Sequence, residues 1–162
     1  MQNITKNIDF FRLFDVLSEE EVYYKENPAP SALATGNSSL TWNDLLLCAE
    51  QEHGYPLHHN RSLLALRHPR YAPTPAYSHA FFEILYVMEG ECVCTFAHKK
   101  ETLKSGDLCF LPPLQKHHVH PVGDAVALSI FVHHSLLTDS FLTTLHLPDT
   151  LFHFFTASSG DS

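Results

Sequence analysis

The sequence predicts a mainly β fold, an antiparallel barrel or double-sheet jelly roll with α-helices flanking it at both ends. Three observations carry this expectation. Residues 62–134 read as short β-rich runs separated by Gly-containing turns. The segments on either side instead place apolar residues three and four positions apart, the helical period. A chain of 162 residues is ordinarily one domain, long enough to bury roughly 68–70% of the surface its unfolded chain exposes. The expected layout is a helical N-terminal segment and loop over 1–61, a β-barrel over 62–134 and a C-terminal helical segment over 135–162.

Each element has a local reason. Ile4, Ile8, Phe11, Phe14 and Leu17 form one apolar stripe, which predicts a first helix. Ser18-x-x-Glu21 has the form of a capping box and predicts a second helix over about 19–26. Asn27-Pro28 stops it, because proline disfavours helical geometry in the residue before it. Residues 29–39 have the composition of a loop. Trp42, Leu45, Leu46 and Ala49 fit a short helix over 41–50 that Thr41 can cap, and 51–61 reads as a polar connection.

Strands follow. Leu63 to Leu66 lead into Pro69, Pro73 and Pro75, and 80–88 is predicted as one long buried strand. Glu89-Gly90-Glu91 turns the chain into a partner strand over 92–97. Lys99 and Lys100 mark the next turn, with a short strand over 101–103. Ser105-Gly106-Asp107 leads to 108–111, which Pro112-Pro113 ends; Val119 and 125–133 supply the last strands. Thr138 can cap a helix carrying Phe141, Leu142 and Leu145, broken by Pro148. The apolar end at Phe152, Phe154 and Phe155 suits either packing on the barrel or a dimer face.

Composition excludes several functions. Ten Lys and Arg stand against 18 Asp and Glu, a formal charge of −8, with no basic stripe. Nucleic-acid affinity comes mostly from cations neutralising phosphates, so these residues should not bind DNA on their own. No apolar run approaches the ~20 residues that span a bilayer. The opening residues lack the basic and apolar regions of a signal peptide, so a cytoplasmic location is expected. Cys92-x-Cys94 has the wrong spacing for zinc; in a strand the two share a face as buried thiols.

The chemistry concentrates between Tyr77 and His117. Alternation puts Tyr77, His79, Phe81, Glu83 and Leu85 on one face and Ala80, Phe82, Ile84 and Tyr86 on the other. A glutamate aimed into a barrel is costly unless paired, hydrogen-bonded or bound to a cation, which makes Glu83 a pointer to function. Gly106, Pro112 after five residues and His117 after four more supply a second imidazole. Two imidazoles and a carboxylate suit zinc, nickel, manganese or iron with positions left open. The same three groups also suit a hydrogen-bonded cluster beneath an organic effector. The neighbouring pairs His58-His59 and His133-His134 point to opposite faces, and His118 and His120 are expected at the surface near the barrel mouth.

His79-x-x-x-Glu83 with Gly90 six residues on, followed by Gly106-x5-Pro112-x4-His117, resembles the two motifs of the cupin superfamily. Tyr77 stands where the first histidine of that pattern would be, Leu114 replaces a glycine and Pro121 an asparagine. Residues 67–71, 81–90 and 106–113 further resemble the N-terminal effector-binding domain of AraC-family transcriptional regulators. The resemblance implies a cupin double-stranded β-helix that senses a small-molecule effector and forms a homodimer. The implied effector site is Tyr77, His79, Phe81, Glu83 and His117, and His79, Glu83 and His117 are the ligands of a possible divalent ion (Zn, Ni, Mn or Fe). Signalling would run through the N-terminal helices and the helix near Phe141. Contact with DNA would come only through a helix-turn-helix domain absent from these residues, as in a truncated chain or a stand-alone sensor; no membrane contact is implied. The rival reading is a stand-alone cupin metalloenzyme, a dioxygenase or sugar isomerase.

Overall fold

The strands assemble into two sheets that share one interior. The computed structural model describes residues 16–28, 34–53, 61–96 and 99–157. One sheet runs in the order β1 (Ala34–Leu40), β3 (Pro75–His79), β8 (His117–Pro121), β5 (Glu91–Phe96) and β6 (Lys99–Lys104). The other runs β2 (Leu63–Arg67), β9 (Val126–Val132), β4 (Phe82–Glu89) and β7 (Leu108–Leu111). Helices α1 (Glu19–Glu26) and α2 (Trp42–His53) precede the main strands, and α3 (Asp139–Thr144) and α4 (Asp149–Ala157) follow them. The fold is mainly β with flanking helices, as expected.

The inner core draws on both sheets: Leu85, Val87, Leu111 and Ala127 from one meet Cys92, Cys94 and Val119 from the other. Cys92 and Cys94 are the buried thiols their alternation predicts. Phe82 faces the other way, outward, where Val132, Leu142 and Phe155 cover it. Strand β4 is thus buried on both faces, which explains its almost unbroken apolar run. Below the barrel end, Leu45, Leu46 and Ala49 of α2 pack on Leu64, Leu66, Phe81 and Phe131. Each of these leucine and phenylalanine side chains, fully buried, contributes about 1.5–3 kcal/mol.

The helix starts follow their caps. Ser18 Oγ accepts from Glu21 N at 3.2 Å, and Glu21 Oε2 accepts from Ser18 N at 2.8 Å. Thr41 Oγ1 accepts from Asp44 N, and Asp44 returns a bond to Thr41 N at 2.8 Å. Thr138 Oγ1 accepts from Phe141 N at 3.3 Å.

Several expectations change. The stripe from Ile4 to Phe14 lies outside the described residues, as do His58-His59 and most of the 51–61 connection. Helix α2 runs on to His53. The segment read as loop supplies β1, an edge strand parallel to β3. Its sequence, Ala-Thr-Gly-Asn-Ser-Ser-Leu, offers no apolar alternation, since pairing through the backbone does not require any. Lys99 and Lys100 lie in β6 opposite Phe96 and Thr95. The long strand begins at Phe82, because Pro75–His79 belongs to the other sheet and the chain crosses between sheets at Ala80 and Phe81.

Candidate functional site

That crossing positions the site. Side-chain parity survives it, so Tyr77 and His79 point inward from β3 while Glu83 and Leu85 point inward from β4. Tyr77 lies directly opposite His117 in the β3–β8 register, and Glu83 lies opposite both Leu111 and Phe131. His79, Glu83 and His117 are only 1%, 0% and 1% exposed. One candidate ligand atom from each lies within 4.8 Å of the other two.

Glu83 is the hub. Its Oε2 sits 2.9 Å from His79 Nε2 and 2.9 Å from His117 Nε2. Its Oε1 accepts from Tyr77 Oη at 3.2 Å and from Ser129 Oγ in a short bond. His68 Nε2 bonds the same Ser129 hydroxyl at 2.6 Å and lies 3.7 Å from Oε1, an ion-pair distance. Burial alone would push this carboxyl up, but His117, His68 and His79 outweigh it and hold it well below the ordinary carboxylate range. Burial, and behind it the Glu83 charge, pushes the Tyr77 phenol well above its ordinary value, so Tyr77 serves as a donor.

The two imidazoles are held from behind. His79 Nδ1 lies 2.7 Å from the Phe81 carbonyl, and His117 Nδ1 lies 2.8 Å from the Gln115 carbonyl. A carbonyl only accepts, so both Nδ1 atoms carry protons and both Nε2 atoms face Glu83 Oε2. Both Nε2 atoms converge on one carboxylate oxygen, and a main-chain carbonyl holds each ring from behind. This is the outer support that orients histidine ligands in metal sites. Phe81 adds a parallel ring against His79, with centroids 4.4 Å apart. The structure therefore brings Tyr77, His79, Phe81, Glu83 and His117 into one buried centre.

Sequence reasoning missed two members, His68 and Ser129. Ser129 had a visible signal: it is the one polar residue in the strand Val-Ala-Leu-Ser-Ile-Phe-Val. His68 follows β2 and lies in the 67–71 run that carries the family resemblance, but no alternation or spacing assigned it to the site. Among the described residues, His118, His120, His133, His134, His146 and His153 lie outside this set. His118 is half-buried against Thr74 at 3.0 Å and stacks on the exposed His120. His133 is half-buried beside Ser135, while His134, His146 and His153 are exposed.

A two-sheet barrel closed around a buried polar centre defines a ligand-binding barrel domain of the cupin type. The chain belongs to the AraC-like ligand binding domain family, whose model matches residues 58–152. Solved structures similar to it include KdgF from Halomonas sp., 23% identical, covering 46% of this chain and 73% of that one with a TM-score of 0.41. A cupin protein from Bacteroides fragilis is 25% identical, covering 47% and 68% with a TM-score of 0.40. An RmlC-like cupin from Shewanella frigidimarina NCIMB 400 is 26% identical, covering 45% and 68% with a TM-score of 0.39. No curated protein matches the chain.

Proposed function

We propose that this chain is the effector-sensing and dimerisation domain of a bacterial AraC-type transcription regulator, working in the cytoplasm as a homodimer. A small molecule enters the barrel at Tyr77, His79, Phe81, Glu83 and His117. The observation that carries this reading is the concentration of polar groups at Glu83. Placing a carboxylate, a phenol, a hydroxyl and three imidazoles inside an apolar barrel costs folding energy, and binding a polar ligand is what such a centre provides for. The net charge of −8 fits contact with DNA through a separate helix-turn-helix unit rather than through these residues.

Signalling requires only that the ligand favour one arrangement of the domain over another. Helix α1 is a suitable element to report it, since Arg67 holds α1 and is the chain neighbour of His68 in the centre. Helix α3 packs on the outward face of β4, whose inward face carries Glu83. The test is hydrogen exchange with and without whichever small molecule most raises thermal stability. Slowed exchange in α1 or α3 is expected, with no turnover of that molecule. Unchanged protection in both helices would overturn the signalling reading.

The back-bonded Nδ1 atoms favour a second reading of the same centre, a divalent ion (Zn, Ni, Mn or Fe) held by His79, Glu83 and His117. Such an ion would supply a Lewis-acid point for an oxygen- or nitrogen-bearing molecule. This chain's residues would orient the ligands through Phe81 and Gln115 carbonyls and exclude bulk water. A stand-alone metalloenzyme, a dioxygenase or sugar isomerase, is the variant of this reading from another functional class. Stoichiometric metal after dialysis, its loss in His79→Ala, and turnover of a substrate would establish the enzyme over the sensor.

A further inference from the structure

Strand β8 turns His117 and Val119 inward and sends His118 and His120 to the outer face of its sheet. The two outward rings stand nearly parallel, 13° apart in plane, with centroids 6.1 Å apart. His118 is half-buried and His120 is exposed. A chain of hydrogen bonds fixes which nitrogen of the neutral His118 ring carries the proton. Thr74 Oγ1 has one proton and gives it to the Val119 carbonyl at 3.1 Å, because a carbonyl only accepts. The 3.0 Å contact between Thr74 Oγ1 and His118 Nε2 is then made with the imidazole proton. His118 Nδ1 is left with the lone pair, and no hydrogen bond among the described residues uses it.

Nothing in the effector reading uses these two rings. We infer that His118 Nδ1 and the His120 imidazole form a second, outward-facing site for a late first-row divalent ion, taking copper(II) more tightly than nickel or zinc. Imidazole suits all three ions, and copper(II) heads their order of affinity. A metal–imidazole bond of ~2.0–2.1 Å puts each ring centre roughly 3 Å from the ion, so two rings sharing one ion have centres up to about 6 Å apart. The pair stands at that outer limit. His120, exposed and without a side-chain hydrogen bond among the described residues, closes it by turning about its own side-chain bonds. Thr74 does for His118 what an outer-shell acceptor does for a histidine ligand: it takes the second ring N–H and holds the orientation. Water fills the remaining positions, since the residues opposite the pair on β5, Thr95 and Val93, bring neither carboxylate nor thiolate.

Proton placement separates this pair from the other two-ring contact at the surface. His133 and His134 are closer, with centroids 4.1 Å apart. There, however, His133 Nδ1 accepts the Ser135 main-chain N–H at 3.3 Å, so its lone pair is occupied and the ring proton sits on Nε2. The outward site is also separate from the buried centre. Alternation along β8 gives His117 to the inner set and His118 and His120 to the outer face, so filling one leaves the ligands of the other untouched.

The test is titration of the full chain with copper(II) alone, read by electron paramagnetic resonance, with the pulsed form counting imidazole nitrogens on the bound ion. The expected result is a copper held by two imidazoles, and its loss, one equivalent per chain, in His120→Ala and in His118→Ala. His134→Ala and Glu83→Gln keep that equivalent. Because His120 is exposed, His120→Ala should unfold at the same temperature as the unaltered chain in the absence of metal, which separates a lost ligand from a lost fold. Thr74→Val leaves both rings in place but removes the acceptor behind His118, and should weaken copper binding about tenfold or more. Nickel and zinc should compete for the same equivalent at higher concentration. Copper uptake unchanged by His120→Ala, a bound copper with a single imidazole nitrogen, or full affinity in Thr74→Val would each overturn the proposal. None of these outcomes depends on whether an effector or an ion binds at Glu83.

Discussion

Arg67 and Glu21 form a bidentate ion pair, with Nη1–Oε1 at 2.7 Å and Nη2–Oε2 at 2.8 Å, between residues 46 positions apart in the chain. Arg70 adds its main-chain N at 2.8 Å and its Nε at 3.3 Å to the same Oε1. Glu21 is the one buried residue of α1, so this carboxylate, rather than an apolar face, docks the helix on the barrel. Removing one partner of a buried pair leaves the other charge uncompensated, at a cost of about 3 kcal/mol. Glu21→Gln should therefore lower the urea midpoint with little change in slope. A midpoint equal to that of the unaltered protein would show that α1 is held by something else.

The same pair sets an acid dependence. Burial would raise the Glu21 carboxyl, but Arg67 and the amides of Arg70 and Ser18 outweigh it and hold it below its ordinary value of 4.5. A carboxyl depressed in the folded state contributes stability that is complete above the unfolded value and is lost as pH falls through the folded value. The stability gap between the unaltered protein and Glu21→Gln should be full at pH 7 and shrink below about pH 4.5. Urea midpoints across pH 3–7 measure it, and a constant gap would contradict the assignment.

Ser129 matters through Glu83. Ser129→Ala removes a hydroxyl donor from a carboxylate with no access to water, which costs about 1–3 kcal/mol. With Glu83→Gln already in place the same change should cost clearly less, giving a coupling of about 1 kcal/mol or more in a double-mutant cycle. Strict additivity would mean that the two groups do not interact.

Gly90 joins β4 to β5 with φ +77°, and a Cβ there would stand 2.7 Å from the Ala125 Cβ and 2.9 Å from its Cα. Both the backbone conformation and the space call for glycine. Gly90→Ala should destabilise by about 2 kcal/mol or more, since strain and overpacking add. Thermal unfolding reads this directly; an unchanged midpoint would mean that the turn relaxes without cost.

Local patterns in the sequence carried much of this. The capping box at Ser18 and Glu21, the Thr138 cap and the inward parity of Tyr77, His79, Phe81 and Glu83 all appear as expected, because each depends on residues a few positions apart. His117 was legible from its spacing after Gly106 and Pro112. What stayed hidden was set by pairing at long range. Arg67 meeting Glu21, or His68 and Ser129 meeting Glu83, follows from which strands become neighbours, and no periodicity within one segment states that. The change of sheet at Ala80 and Phe81 was invisible for a related reason: alternation is the same whether a strand continues or its inward face passes to the opposite sheet. Strand β1 escaped because its polar residues bond through the main chain.

The most direct test compares thermal unfolding of the unaltered protein and Glu83→Gln across divalent ions and a chemically varied set of small polar molecules. A ligand that binds only the folded state raises its midpoint in proportion to occupancy. At least one ion or molecule should stabilise the unaltered protein and lose most of that effect in Glu83→Gln. A ligand that stabilises both equally, or a complete set that stabilises neither, would contradict a binding centre built on His79, Glu83 and His117.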